Sequence, residues 1–310
     1  MLKGLVITPP VLGRISIGKV VEKSGKRLPE KDDQFTITSQ VQGAEGCWLP
    51  HPCDEGFRKA QGGKIRAIPI RLLFNDPDLN FRAEYALFDR RTGRPVCVGN
   101  GESCKRRTES GVQSLPCPSP DGCALAQNGA CKPYGRLNVL IGDDDPLGSF
   151  VFRTTGFNSI RTLSARLAYF QAISGNRLAY LPLELRLRGK STRQSLGTPI
   201  YYVDLTVRSG VSVEDALKEA KRLEAERQDA GFDQVALETA ARQGFSNGAF
   251  EDSEAEGDSV VEEFYPEGTE GTSEASIALE TSAALSLADK LGARAASLGS
   301  NTGGASNGID

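Results

Sequence analysis

The chain of 310 residues sets 37 Lys and Arg against 40 Asp and Glu, a formal charge of −3, and is 39% hydrophobic with one histidine. No run approaches the ~20 apolar residues of a membrane-spanning helix, and the lone His51 gives no context for a Ser-His-Asp triad or a His-ligated catalytic metal. The charge is unevenly spread: residues 1–248 hold 35 basic and 27 acidic side chains, a balance of +8, while residues 249–310 hold 2 and 13, a balance of −11, the layout of a nucleic-acid-facing body with an acidic tail.

In chain order, MLKGLVITPPVLG has one Lys, a short apolar run and then Pro9-Pro10. It is not a secretory signal, so a reducing bacterial cytoplasm is expected. The prolines divide Gly4–Ile17 into two short extended pieces. QFTITSQV, with Phe35, Ile37 and Val41 in near alternation, predicts a half-buried strand, and KIRAIPIRLLF a second one in which Pro69 marks a sheet edge. FRAEYALFDRRTGRPVCVGNG predicts a hairpin turning at Arg91-Thr92-Gly93. His51, in CWLPHPC, sits in a Trp/Pro-rich turn; joining Cys47 and Cys53 around a metal is the less favoured reading.

Five of the seven cysteines fall between Cys97 and Gly135. The last four, Cys104, Cys117, Cys123 and Cys131, are spaced C-x12-C-x5-C-x7-C among Gly, Pro, Ser and charged residues, with no helical or strand periodicity. Such a segment lacks the apolar side chains for a core, and four thiolates on a zinc ion would replace one. Cys97 is the reserve ligand. An iron–sulfur cluster also takes four thiolates, although the compact CxxCxxC run is absent; disulfides, or thiols that bind nothing, complete the alternatives.

Beyond the cysteines, GRLNVLIG and SFVFRTTG predict two strands joined by DDDPLG. There Asp143, Asp144 and Asp145 are read as turn residues and not as a magnesium site. Residues 158–174 predict a helix buried through Ile160, Leu163, Leu167 and Phe170, capped by Asn158 or Ser159 and ended by Gly175. LPLELRLRG and TPIYYVDLTVRS predict two more strands, the first placing Arg186 and Arg188 on one face. Ser212 caps a helix carrying Val213, Ala216, Leu217, Ala220 and Leu223 on one side, and QVALETAARQ adds another. From residue 249 an acidic and then Ala/Ser/Gly-rich disordered tail is expected.

Between residues 151 and 208, Arg153, Arg161, Arg166, Arg177, Arg186, Arg188, Lys190, Arg193 and Arg208 face only Glu184 and Asp204. Aromatic residues interleave with them. Positive charge for phosphates and rings for base stacking make Arg153, Arg161, Arg166, Arg186, Arg188, Lys190 and Arg193 the candidate nucleic-acid contacts.

LKGLVITPPVLGRISIGK, LPEKDDQFTITSQ, SLPCPSPDGCALAQNGACKPYGRLNVLIG, FVFRTTGFNSIRTLSARL and LPLELRLRGKSTRQSLGTPIYYVDLTVRSG together resemble a family of phages and integrating conjugative elements. Its members carry the label "hydrolase or metal-binding protein" and look related to the recombination directionality factor-like proteins of large serine integrases. The resemblance implies an accessory protein of a mobile element that contacts DNA and a site-specific recombinase, with the four cysteines as candidate ligands. No GxSxG, HExxH or Walker loop supports a hydrolase.

The expectation is an α+β chain. Residues 1–248 form a β-rich core, barrel-like in one reading, with a cysteine metal loop at 97–135 and a helical part at 212–244, and 249–310 form the tail. The expected function is non-catalytic, regulating recombination through DNA and recombinase binding. Two alternatives stay open: a β-barrel single-strand DNA-binding protein with a zinc insertion, and a metal-dependent nuclease using Asp143, Asp144, Asp204 and Glu184.

Overall fold

Alternating side chains make sheet the largest class of secondary structure among the described residues. The computed structural model describes residues 10–23, 26–43, 48–143, 148–191, 199–245 and 264. All of them lie in the first of two units into which the chain divides, residues 1–267. The strands are β1 (Val11–Lys23), β2 (Lys26–Gln42), β3 (Trp48–Pro50), β4 (Ala67–Arg71), β5 (Phe81–Phe88), β6 (Pro95–Gly99), β7 (Ser103–Thr108), β8 (Gly111–Pro116), β9 (Lys132–Ile141), β10 (Ser149–Thr154), β11 (Leu183–Lys190) and β12 (Ile200–Val207). The helices are α1 (Pro52–Ala60), α2 (Pro77–Asn80), α3 (Ser119–Gly122), α4 (Phe157–Ser174), α5 (Val213–Asp229) and α6 (Gln234–Phe245).

The fold is α+β and strand-rich, but the sheet is open and not a barrel. Its main path runs β3-β2-β1-β10-β9-β5-β6-β7-β8. At β9 it forks: Lys132–Leu137 pairs with β5, while Leu140 and Ile141 pair with β4, which leads to β11 and then β12. A strand that splits its length between two neighbours sends the sheet in two directions and does not wrap it. One isolated bridge, Phe35 to Ile65, joins β2 to the residues ahead of β4 without extending into a ladder.

The apolar faces meet α4. Leu137, Val139, Phe152, Leu183, Leu185, Val203 and Leu205 from the sheet and Leu163 and Leu167 from the helix are almost wholly removed from solvent, each such side chain contributing about 1.5–3 kcal/mol. β12 pairs only with β11. Its outer edge is met by α4, where the Ser159 hydroxyl accepts the Val203 N–H at 3.1 Å, which blunts an edge that would otherwise present unpaired amides.

Several local expectations change. The extended piece after Pro9-Pro10 is one thirteen-residue strand; the piece before them lies outside the described residues. Pro69 is not at a sheet edge, because β4 lies between β11 and β9. The proline is tolerated since pairing with β9 starts only at Ile70, and the Pro69 carbonyl still accepts from the Gly142 N–H at 2.9 Å. Helix α4 begins at Phe157, with Gly156 as its N-cap and no side-chain cap. Asn158 and Ser159 instead serve β11 and β12. Gly175, at φ 63°, ends the helix in the left-handed region as expected.

The cysteine stretch is also not a loop. It supplies β7 and β8, with Gly111 (φ 109°) closing a tight turn between them. Apart from Cys104, Val112 and Leu115 their side chains are polar or small, and Val112 and Leu115 fall on opposite faces, so no hydrophobic alternation marks the hairpin and the ladder is held by backbone bonds. Helices α5, started by Ser212 accepting from the Asp215 N–H at 3.1 Å, and α6 follow the expected pattern. Among the described residues no helix is long and apolar enough to cross a membrane.

Candidate functional site

The cysteines lie on β6 and β7 and in the connections beside β8 and β9. β6 carries Cys97 and β7 carries Cys104, with Gly99 directly opposite Cys104. A Cβ on Gly99 would stand 2.6 Å from the Cys104 Cβ, so the bare glycine is what lets the two strands approach here. Cys117 leaves β8 with its N–H on the Glu102 carbonyl at 2.8 Å, Cys123 follows α3, and Cys131 precedes β9.

Burial, then a hydrogen bond with Cys97 and its charge, pushes the Cys104 thiol up to about 11. Cys131 is pushed up to about 11 by burial and then by Cys97, Cys123, Cys117 and Cys104. The five thiols thus lie within electrostatic reach of one another, and Arg106 stands among them with a guanidinium nitrogen 4.0 Å from the Cys104 Sγ. Cys97, Cys104, Cys117, Cys123 and Cys131 are all free. Among the described residues, no three His, Cys, Asp or Glu side chains stand together as a ready metal-holding group. As a donor set, however, four soft thiolates suit zinc or an iron–sulfur cluster, and a bound cation would reverse their mutual repulsion.

His51 is a helix cap. Its Nδ1 accepts the Cys53 N–H at 3.3 Å, and its ring meets the Phe150 ring edge-on at 5.0 Å. Cys47 lies outside the described residues.

The basic run divides into groups with different roles. Arg153 is buried, Arg177 pairs with Glu224 at 2.6 Å, and Arg208 pairs with Asp143 at 2.6 Å. Arg193 lies outside the described residues. Five cations remain on the β11–β12 pair and on α4, which covers the β12 edge. Arg186 bonds Glu184 and the Ser209 hydroxyl; Arg188 (3.3 Å) and Arg166 (3.1 Å) share Asp204 from β12; Lys190 donates to the Asn158 side chain at 2.9 Å. Arg161 is exposed one turn further along α4. Among the described residues neither Arg161 nor Lys190 meets a carboxylate. With Glu184 and Asp204 as the acids of this patch, the face keeps a positive excess.

Its aromatic residues sort likewise. Phe152, Phe170 and Tyr180 are core, whereas Phe157 and Tyr169 are exposed on α4 and the Tyr202 ring lies 5.9 Å from the Lys190 ammonium.

The acids that a nuclease reading would use are held apart by arginines. Arg208 and then Arg71 hold the Asp143 carboxyl below its ordinary value. Burial pushes Glu184 up, but the Ser209 N–H, Arg186 and the Ser209 hydroxyl outweigh it, and its pKa is lowered. Asp144 and Asp145 lie outside the described residues.

Phe264 is the feature least visible in the sequence. Placed in the stretch expected to be disordered, it is fully buried against Ala86, Phe88, Val98 and Tyr134. The only signal was an aromatic pair inside an acidic run.

A family model described as Gp3-like, recombination directionality factor-like, matches residues 12–208, from β1 through the end of β12 and including both the cysteines and the basic face. No curated protein and no solved structure matches the chain.

Proposed function

Because the chain belongs to the recombination directionality factor-like family, we propose that it regulates site-specific recombination of a phage or other mobile element, catalysing no reaction itself and acting through contacts with DNA and a recombinase in the bacterial cytoplasm. The observation that carries the DNA half of this reading is the gathering of Arg166, Arg186, Arg188 and Lys190, with Arg161 nearby, on the β11–β12 pair and the α4 helix that covers the β12 edge. Cations held on rigid elements with their partners shared meet phosphate oxygens at little ordering cost. Arg161 and Lys190 are the two of them that meet no carboxylate among the described residues, and Phe157 and Tyr169 are exposed on the same helix as Arg161 and Arg166.

In the same reading, Cys104, Cys117, Cys123 and Cys131 hold one zinc ion, with Cys97 the fifth thiol beside them. Zinc there ties β7, the end of β8, the residue after α3 and the start of β9 together and is structural. Elemental analysis of anaerobically purified protein should give about one zinc per chain; iron with sulfide would replace zinc by a cluster, and absence of metal would remove the site.

The DNA contact is tested by gel shift against double- and single-stranded DNA, with and without magnesium. Binding is expected without cleavage, weakening with salt by a log–log slope of roughly −0.9 for each duplex phosphate contacted. The double variant R161A/K190A should flatten that slope, and it leaves no buried carboxylate without its partner. Unchanged affinity and slope would assign the face to another role, and magnesium-dependent cleavage would overturn the non-catalytic reading.

A further inference from the structure

The hollow holding Phe264 is built by three neighbouring strands. Ala86 and Phe88 come from β5, Val98 from β6 and Tyr134 from β9, and the five residues form a cluster separate from the main core. Phe264 meets Phe88 edge-on at 4.9 Å and Tyr134 at 6.0 Å, while Phe88 and Tyr134 meet each other at 5.3 Å. Edge-to-face contact of three rings is specific for an aromatic side chain, since an aliphatic one supplies no ring edge.

The rim is basic. Lys132 donates to the Phe264 carbonyl at 3.2 Å and stands 5.7 Å from its ring centroid. The hollow extends to Arg82 and Arg136, which are direct cross-strand partners on β5 and β9, and to Glu84, which pairs with Arg82 at 3.7 Å, so that with Lys132 the rim holds three cations against one acid among the described residues. The sequence around the plug is complementary in charge: Glu262 and Glu263 precede Phe264, and Tyr265, Pro266 and Glu267 follow it. The hollow falls inside the residues that the family model matches, whereas Phe264 lies more than fifty residues past their end.

We propose that this hollow is a docking site for an acidic peptide bearing an aromatic side chain, and that the chain's own C-terminal segment occupies it through Phe264. The aromatic ring fills the pocket, the lysine fixes the backbone carbonyl beside it, and the basic rim selects acidic flanks. Occupation from the same chain makes the local concentration of plug high, so a separate peptide of the same chemistry enters only when it outcompetes Phe264 or when Phe264 is withdrawn.

The test uses full-length protein and a fluorescein-labelled synthetic peptide of residues 259–268, followed by fluorescence anisotropy. The variant F264A, with its pocket open, should bind the peptide at least tenfold more tightly than the wild type. A peptide carrying Ala in place of its Phe should lose that binding. Equal affinity for wild type and F264A would overturn the proposal, as would binding to F264A that survives loss of the peptide's aromatic ring, because attraction by charge alone needs no pocket. Hydrogen exchange provides a readout independent of anisotropy: amides of residues 95–99 and 132–136 should be less protected in F264A and regain protection when the peptide is added. A loss of protection spread through β11 and β12 would mean that F264A is misfolded; the variant F264L, which keeps an apolar filling but removes the ring edges, then replaces it and should also bind the peptide more tightly than wild type. Added to whichever of these variants folds, K132E should weaken peptide binding, and binding unaffected by it would overturn the role of the rim.

Discussion

Glu184 shows how one buried carboxylate organises its surroundings. It is 4% exposed and accepts from the Ser209 N–H (3.0 Å), the Ser209 hydroxyl (3.0 Å) and the Arg186 Nε (2.9 Å). Replacing it by Gln keeps the size but removes the charge that these donors face. E184Q should lower stability by about 1–3 kcal/mol in urea titrations near neutral pH. Since its folded pKa is depressed from the ordinary 4.5, the charge contributes fully above that value and is lost as pH falls through the lower folded value. The gap between wild type and E184Q should therefore hold constant from neutrality down to about pH 5 and narrow below it; a gap that widens in acid would contradict the sign. Gly99 is the second telling position. A methyl group there collides with the Cys104 Cβ, so G99A should lower the unfolding midpoint and, under the zinc reading proposed above, retain less metal than wild type, as read by elemental analysis alongside thermal melts. Retention of full metal content would mean that the thiols gather without help from this close approach.

Helix α4 joins core, strand edge and basic face in one element. Its buried stripe of Ile160, Leu163, Leu167 and Phe170 was legible from the 3.6-residue period, and so was its left-handed glycine stop. The cap was not, because Ser159 is drawn to a more valuable partner, an edge amide of β12 that lies 44 residues away in sequence. S159A leaves that buried amide without its acceptor and should cost about 1–3 kcal/mol. L163A, which empties a fully buried site, should cost about 2–5 kcal/mol. Urea unfolding separates the two, and a negligible effect of S159A would show that water replaces the hydroxyl. The β7–β8 hairpin was illegible for the opposite reason. Its two aliphatic residues, Val112 and Leu115, fall on opposite faces and give no alternation, and its backbone pairing and the Gly111 turn define it.

For the molecule as a whole, the α+β class and most strand positions could be read from alternation, whereas the fork at β9 and the openness of the sheet depend on pairings between distant segments. The cysteines stood out in the sequence by density, yet their grouping with Cys97 depends on the register of β6 against β7. The basic run was read as one surface; folding buries Arg153 and commits Arg177 and Arg208 to Glu224 and Asp143, which a linear charge count has no means of showing. The balance of +8 before residue 249 against −11 after it still implies self-competition. Deleting residues 249–310 should tighten DNA binding at low salt, with the gain shrinking once the screening length falls below about 8 Å; equal affinities of truncated and full-length protein at both salts would reject it. One pairing bears on how the chain is made. β1 lies parallel to β10, with Arg14 opposite Val151 and Ile15 opposite Phe152, the sole parallel contact among the described strands. About 110 residues lie between the end of β2 and the end of β10, so at ~5–20 residues per second the first hairpin to leave the ribosome waits roughly 6–22 s for the strand that completes its other side. During that interval the inner edge of β1 is open to any passing strand, and the newborn chain, more than the finished protein, is the species that a chaperone would have to shield.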